Sequence, residues 1–214
     1  MIDAIMLSYA KDKIHYQMTQ KAIDSVLYSG GEFNITVVET TQKKYQNCAT
    51  INPNERFAFN KFLGYGYEKT TKPYLLFLNN DIEAKNNFSH GLIRGLEIYD
   101  SVSPMSPKIH RNLKEEYTEG FDIWKTFCGW AFMLKRETIE RIGFKIFFPE
   151  FCEGWYSDNI VCDVLKKNSL KHALVKSSRL EHIGQRTLNS IPRQERDYYM
   201  QGQEEKYLQW KATL

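Results

Sequence analysis

Apolar residues in this chain come in short dense runs, and most runs end in small polar side chains. The densest is Tyr74-Leu75-Leu76-Phe77-Leu78, followed at once by Asn79-Asn80-Asp81. Such a run is too short for a membrane span and predicts a strand buried on both faces. Ile2 to Leu7 has the same character. Ile35-Thr36-Val37-Val38 is β-branched and predicts a further strand, closed by Glu39-Thr40-Thr41. Between these two, Met18, Ala22 and Val26 recur every fourth position beside Ile23 and Leu27, which predicts a helix from about Ile14 to Tyr28, stopped at Gly30-Gly31. Strand, helix and strand in that order imply a right-handed parallel crossover.

The remaining pattern continues the alternation. Asn54 is a candidate cap for a helix that carries Phe57, Ala58, Phe62 and Leu63 and ends near Thr70. After Asp81 a helix is expected from about Asn87 to Tyr99. Val102 to Ile109 contains Pro104 and Pro107 and reads as a short or edge strand, and residues 110–125 as a loop over one face of the sheet. Cys128 to Leu134 predicts another buried strand, and Lys135 to Ile142 a short helix closed by Gly143. Asp158 is placed to cap a helix running to Asn168. His172 to Val175 and Arg179 to His182 predict two short closing strands. From Pro192 to Leu214 the chain is charged and mostly helical, with Tyr207, Leu208 and Trp210 among its apolar positions.

Composition narrows the class. The chain has 214 residues, 42% hydrophobic and 26% charged, which suits one folded domain and excludes a disordered or membrane-embedded protein. A net charge of +3 is too small to argue for a polyanionic partner. Aromatic residues reach 14%, enough to fill a core and also to line a site that stacks rings. The amino terminus shows no leader-like basic segment, and no run has membrane-spanning length, so the expected location is cytoplasmic. Cys48, Cys128, Cys152 and Cys162 lack CxxC spacing, and reduced thiols are expected.

The order of the pieces resembles the nucleotide-sugar-dependent glycosyltransferases of the GT-A fold, and within them the large inverting family with an Asp-x-Asp motif. The likeness spans about residues 2–184. Ile5-Met6-Leu7-Ser8-Tyr9 is similar to that family's opening strand and nucleotide loop, and Val37-Val38-Glu39 to its second strand with the following acid. Leu76 to Asp81 resembles the strand ending in Asp-x-Asp. Gly129 to Gly143 resembles the acceptor strand and its short helix, Ser157-Asp158 the Glu-Asp acceptor helix, and Leu180-Glu181-His182-Ile183-Gly184 the last strand with its histidine. Two positions depart from the pattern: Asn79 stands in place of the first Asp of the motif, and Ser157 in place of the Glu. The resemblance implies an α/β fold of GT-A type, with a mostly parallel doubly wound sheet flanked by helices. Residues 1–184 would form the glycosyltransferase domain and residues 185–214 a helical tail packed on it.

It also implies a chemistry, set beside plainer readings of the same residues. The activity is transfer of a sugar from a nucleotide diphosphate donor, with UDP the expected nucleotide, to an acceptor hydroxyl. The diphosphate gains charge as it leaves, which a divalent cation, Mn²⁺ or Mg²⁺, can stabilise. Asp81 and His182 are the candidate ligands, an anionic oxygen and a neutral nitrogen; His182 equally suits a strand histidine satisfied by backbone. Asp158 is the candidate general base with Glu153 in reserve, although capping a helix would explain Asp158 as well. Ser8, Tyr9, Ala10, Glu39, Asn79 and Asn80 would border the donor, with Arg186 at its phosphates. Trp130, Trp155 and Tyr156 flank the acceptor side, where core packing is the competing role for Trp130. Glycan, protein and nucleic-acid acceptors all remain open, as does pairing of two subunits through the tail. A non-catalytic nucleotide-sugar or glycan-binding module is the rival from another class. A sugar nucleotidyltransferase is disfavoured, because Ser8 to Asp12 contains no glycine to cradle a triphosphate.

Overall fold

The computed structural model describes residues 1–184 and 193–214. The dense apolar runs become the strands β1 (Ile2–Ser8), β2 (Phe33–Glu39), β4 (Tyr74–Asn79), β6 (Ser101–Met105), β8 (Ala131–Lys135) and β9 (His172–His182). Three short strands, β3 (Ala49–Ile51), β5 (Ile82–Ala84) and β7 (Tyr117–Glu119), lie where no strand was expected. Among the described residues the strands form one sheet in the order β3-β2-β1-β4-β8-β6-β9-β5, with β7 paired to β9. The α/β class holds, with helices flanking the sheet. The sheet itself is mixed: β1 is parallel to β2 and β4, β2 to β3, and β6 to β9, whereas β8 runs antiparallel to both β4 and β6.

Alternate side chains of each strand feed two cores, as the two-residue period of a strand requires. Ala4, Met6, Leu76, Leu78, Ala131 and Met133 face one side, packed by α1 (Lys13–Leu27) and α3 (Phe88–Leu96). Ile5, Leu7, Leu75, Phe77, Phe132 and Leu134 face the other, packed by α2 (Phe59–Tyr67), α4 (Arg136–Ile142) and α6 (Ser157–Lys167), with the single turn α5 (Phe144–Phe147) beside them. Burial of Phe77 and Phe132, whose rings stack at 4.9 Å, is the kind of contact that fixes this layer. Two tail helices follow, α7 (Arg193–Met200) and α8 (Gln203–Thr213).

Several expectations are corrected. Asn54 does not cap α2. It takes a left-handed turn (φ 58°), and the helix starts at Phe59, where the first backbone N–H groups of Phe59 and Asn60 donate to the carbonyls of Glu153 and Cys152. A tertiary contact thus supplies what a side-chain cap would. The helix after Asp81 stops at Leu96, short of Tyr99. The strand holding Pro104 is buried between β8 and β9, not at an edge; the β6–β9 register shifts between Pro104 and Met105, so the proline falls where the ladder is already broken. The two closing strands are one continuous strand, β9. Leu208 is exposed rather than packed.

Candidate functional site

Strand directions gather the site at one rim. β1, β2 and β4 are parallel, so Ser8, Glu39 and Asn79 share their carboxyl ends. β8 is antiparallel to β4, which brings the residues just before it to that same rim. β6 reverses again and β9 follows it, so His182, last in β9, ends there too. In open α/β sheets this rim is where ligands collect.

Asp81 and His182 are held together by backbone. Ile82 is the register partner of His182, and the Ile183 N–H donates to the Asp81 carbonyl at 2.8 Å. Their side chains meet as a result: Nε2 of His182 lies 3.2 Å from Oδ1 of Asp81, with both groups only about 5% exposed. Despite that distance the geometry is not that of a hydrogen bond, and Nε2 is buried without a hydrogen-bond partner among the described residues. Leaving a buried polar atom unsatisfied is costly. An anionic oxygen and an imidazole nitrogen thus lie side by side with no hydrogen bond between them. Among the described residues no cluster of three or more His, Cys, Asp or Glu side chains is placed to hold a metal ion.

Residues 128–130 were expected to begin a strand and instead form the turn that enters β8, closed by the Ala131 N–H on the Cys128 carbonyl. That turn joins the site. Trp130 is buried with its ring stacked on the His182 imidazole at 5.1 Å and 6°, and its carbonyl accepts from the Asn79 N–H at 2.9 Å. Gly129, one residue earlier, backs directly on Asp158. Two adjacent residues therefore connect the Asp81–His182 pair to Asp158.

Asp158 is not the cap of α6. Tyr156 occupies that position with φ 69°, and Asp158 stands in the first turn, where its Oδ1 accepts from the Asn159 N–H at 3.0 Å. Burial pushes its carboxyl above the usual carboxylate range, and the backbone N–H bonds only partly offset this. The Ser157 hydroxyl donates to Asn60 Oδ1 at 2.7 Å. Glu153 is tied to the tail: its N–H donates to Gln203 Oε1 and its carboxylate pairs with Lys206 at 3.8 Å.

Several of the residues expected to border a donor form a buried polar chain. Asn80 donates to Thr19 Oγ1 at 2.9 Å, Thr19 meets Ser8 Oγ at 2.9 Å, Ser8 meets Tyr45 Oη at 2.9 Å, and Tyr45 donates to Glu39 Oε2 at 2.6 Å. The other oxygen of Glu39 accepts from the N–H groups of Ala10 and Thr41 at 3.1 and 2.7 Å. Glu39 is wholly buried, and it fixes the shape of the loops after β1 and β2. Tyr45 and Thr19 were not anticipated from the sequence; no periodicity marks two hydroxyls that converge on Ser8 only in the folded chain. Tyr9 is half-buried at the same loop. Tyr156 stacks on Tyr207 of α8 at 4.8 Å, and Trp155 accepts at its carbonyl from the Cys152 thiol. Arg186 lies outside the described residues.

No protein-family profile and no curated protein matches this sequence. The structure is similar to the crystal structure of GalNAc-T7 with UDP, GalNAc and Mn2+, with a TM-score of 0.68 at 12% sequence identity, over 85% of this chain and 43% of that one. The likeness is one of fold, the GT-A glycosyltransferase fold, and this chain spans less than half the length of that neighbour.

Proposed function

We propose that the protein is a glycosyltransferase that moves a sugar from a UDP-sugar to an acceptor hydroxyl with inversion. One observation carries this reading: the orphaned Nε2 of His182 beside Asp81, at the carboxyl rim of a GT-A sheet and one turn of chain from the half-buried Asp158. The neighbour of like fold was crystallised with UDP and Mn2+, which supports the nucleotide and the cation.

Asp81 and His182 would hold a divalent cation, Mn²⁺ or Mg²⁺. The cation's contribution, when bound, is to offset charge on the departing diphosphate. The chain's own residues do the rest. The Glu39–Tyr45–Ser8–Thr19–Asn80 chain fixes the loops that border the nucleotide, so the role of Glu39 is exerted through Ala10 and Thr41. Asp158 accepts the proton of the acceptor hydroxyl as that oxygen bonds to the anomeric carbon, and the bond from that carbon to the diphosphate oxygen breaks, with UDP leaving. A carboxyl raised by burial is a stronger base than a solvated one. The tail covers the acceptor side through Tyr207, Gln203 and Lys206.

That the described residues place no third His, Cys, Asp or Glu beside this pair favours one rival, a module that binds the donor without consuming it. Incubation with a panel of UDP-sugars, Mn²⁺ and candidate glycan, protein and DNA acceptors separates the two. Release of UDP with a mass gain on an acceptor is expected, together with inverted anomeric configuration. Asp158→Asn should abolish transfer and keep UDP binding. An active Asp158→Asn protein would remove that role and point to Glu153, and a donor left intact with every acceptor would establish the binding module.

A further inference from the structure

Trp124 has a backbone and a side chain that packing alone does not explain. Its φ is 72°, a left-handed conformation that a bulky residue rarely adopts, and its indole is 45% exposed. The loop around it is firmly held. The Trp124 N–H donates to the Phe127 carbonyl at 2.9 Å, and the Asp122 carbonyl accepts from the N–H groups of Lys125, Thr126 and Phe127. His110 takes an N–H bond from Ser106 on Nδ1, which leaves its Nε2–H to donate to the Trp124 carbonyl at 3.1 Å. A strained residue that its surroundings over-determine is a mark of function. The strain presents a ring beside the candidate cation pair: the indole centroid is 6.1 Å from that of His182.

We propose that Trp124 is a sugar-stacking residue, its exposed indole receiving the apolar C–H face of a pyranose ring held against the Asp81–His182 pair. The inference rests on the proposed function and adds a specificity residue to it. Indole faces suit such rings because they offer a broad apolar surface with little entropy to lose. The nucleobase is the wrong occupant. Its candidate site is at the ends of β1 and β2, and in the sheet order β4, β8 and β6 lie between these and β9, at whose end Trp124 meets His182. The ring is therefore a saccharide, from the donor or from the acceptor.

The test uses the full chain labelled with 5-fluorotryptophan. Its four tryptophans give separate ¹⁹F signals, and Trp124→Phe assigns the one of interest. The probes are UDP, UDP-glucose, UDP-N-acetylglucosamine and UDP-N-acetylgalactosamine, each with Mn²⁺, then methyl glucoside and methyl galactoside added over UDP–Mn²⁺. A Trp124 shift with a UDP-sugar beyond that with UDP assigns the donor ring, and a shift with a methyl glycoside assigns an acceptor ring. Trp124→Asn tolerates the left-handed backbone and lacks the ring; saccharide binding should weaken about tenfold, as for one lost stacking contact, with UDP affinity unchanged. A Trp124 signal that no saccharide moves, in a protein that binds UDP–Mn²⁺ by calorimetry, would overturn the inference and spare the proposed function. An equal shift with UDP alone would also overturn it. Failure to bind any UDP ligand would overturn both.

Discussion

Gly129 and Asp158 approach more closely than a side chain at position 129 would permit: a Cβ there would stand 2.8 Å from Asp158 Cβ and 3.0 Å from its Oδ2. The glycine makes room for a carboxylate on a helix first turn that cannot retreat, because α6 is anchored behind it by buried Ile160, Val161 and Val164. Gly129→Ala is therefore expected to displace Asp158 while the fold survives. Displacements near 1 Å cost about a hundredfold in rate. Steady-state kinetics should show that loss in kcat with donor KM little changed, and circular dichroism an intact fold.

Asp158→Asn separates activity from stability. Removing a general base lowers kcat by about 10²- to 10⁴-fold. Burial raises the folded pKa above its ordinary value of 3.8, so the folded state binds the proton more tightly than the unfolded state. Its contribution is favourable at low pH and is lost as pH rises through the folded pKa, leaving an ionised carboxylate that destabilises the fold at neutral pH. The neutral amide escapes this penalty. The variant should melt at a higher temperature than the parent at pH 7, and the parent's kcat should fall on the acid side of the raised pKa.

His172 predicts a pH dependence of opposite sign. It is fully buried between Phe121 and Phe127, its Nε2–H donating to the Thr126 carbonyl at 3.1 Å and Nδ1 accepting from Ser101 at 2.9 Å. Burial pushes its pKa down to about 3 from 6.5. The unfolded chain takes up a proton below pH 6.5 that the folded chain refuses, so stability is present above 6.5 and lost as pH falls toward 3. Between pH 7 and pH 5 this amounts to about 2 kcal/mol. Urea titrations should show that decline in the parent and a flatter profile in His172→Gln.

Asp163 ties the tail to α6. Asp163 accepts from Tyr207 Oη at 2.6 Å and pairs with Lys211 at 2.9 Å. Asp163→Ala leaves the phenol without its acceptor and should cost about 1–2 kcal/mol, the range for a part-buried charged hydrogen bond. Hydrogen exchange in residues 203–213 should quicken more than exchange in β1 or β4.

Much of the scaffold was legible because its signals are local. The runs at β1, β2, β4 and β8, the α1 stripe and the Gly143 stop each follow from side-chain period and backbone preference. What was missed depends on partners distant in sequence. Asn54 looked like a cap, yet Glu153 and Cys152 terminate α2 from nearly a hundred residues away. Pro104 looked like an edge residue because the bulge that tolerates it exists only against β9. Strands β3, β5 and β7 are three residues long, too short to show a period. The site divides in the same way. Asp81, His182 and Asp158 stood out as acids and an imidazole at element ends, whereas Trp130 as the link between them needed the turn at residues 128–130, and Tyr45 and Thr19 needed the folded loop.

Calorimetric titration of UDP with and without Mn²⁺, on the parent protein, Asp81→Asn and His182→Ala, tests the central claim most directly. The cation should tighten UDP binding to the parent at least tenfold, and either substitution should erase that difference while leaving the weaker, cation-free binding in place. Equal UDP affinity with and without Mn²⁺ in the parent, or a Mn²⁺ effect that persists in both variants, would contradict it.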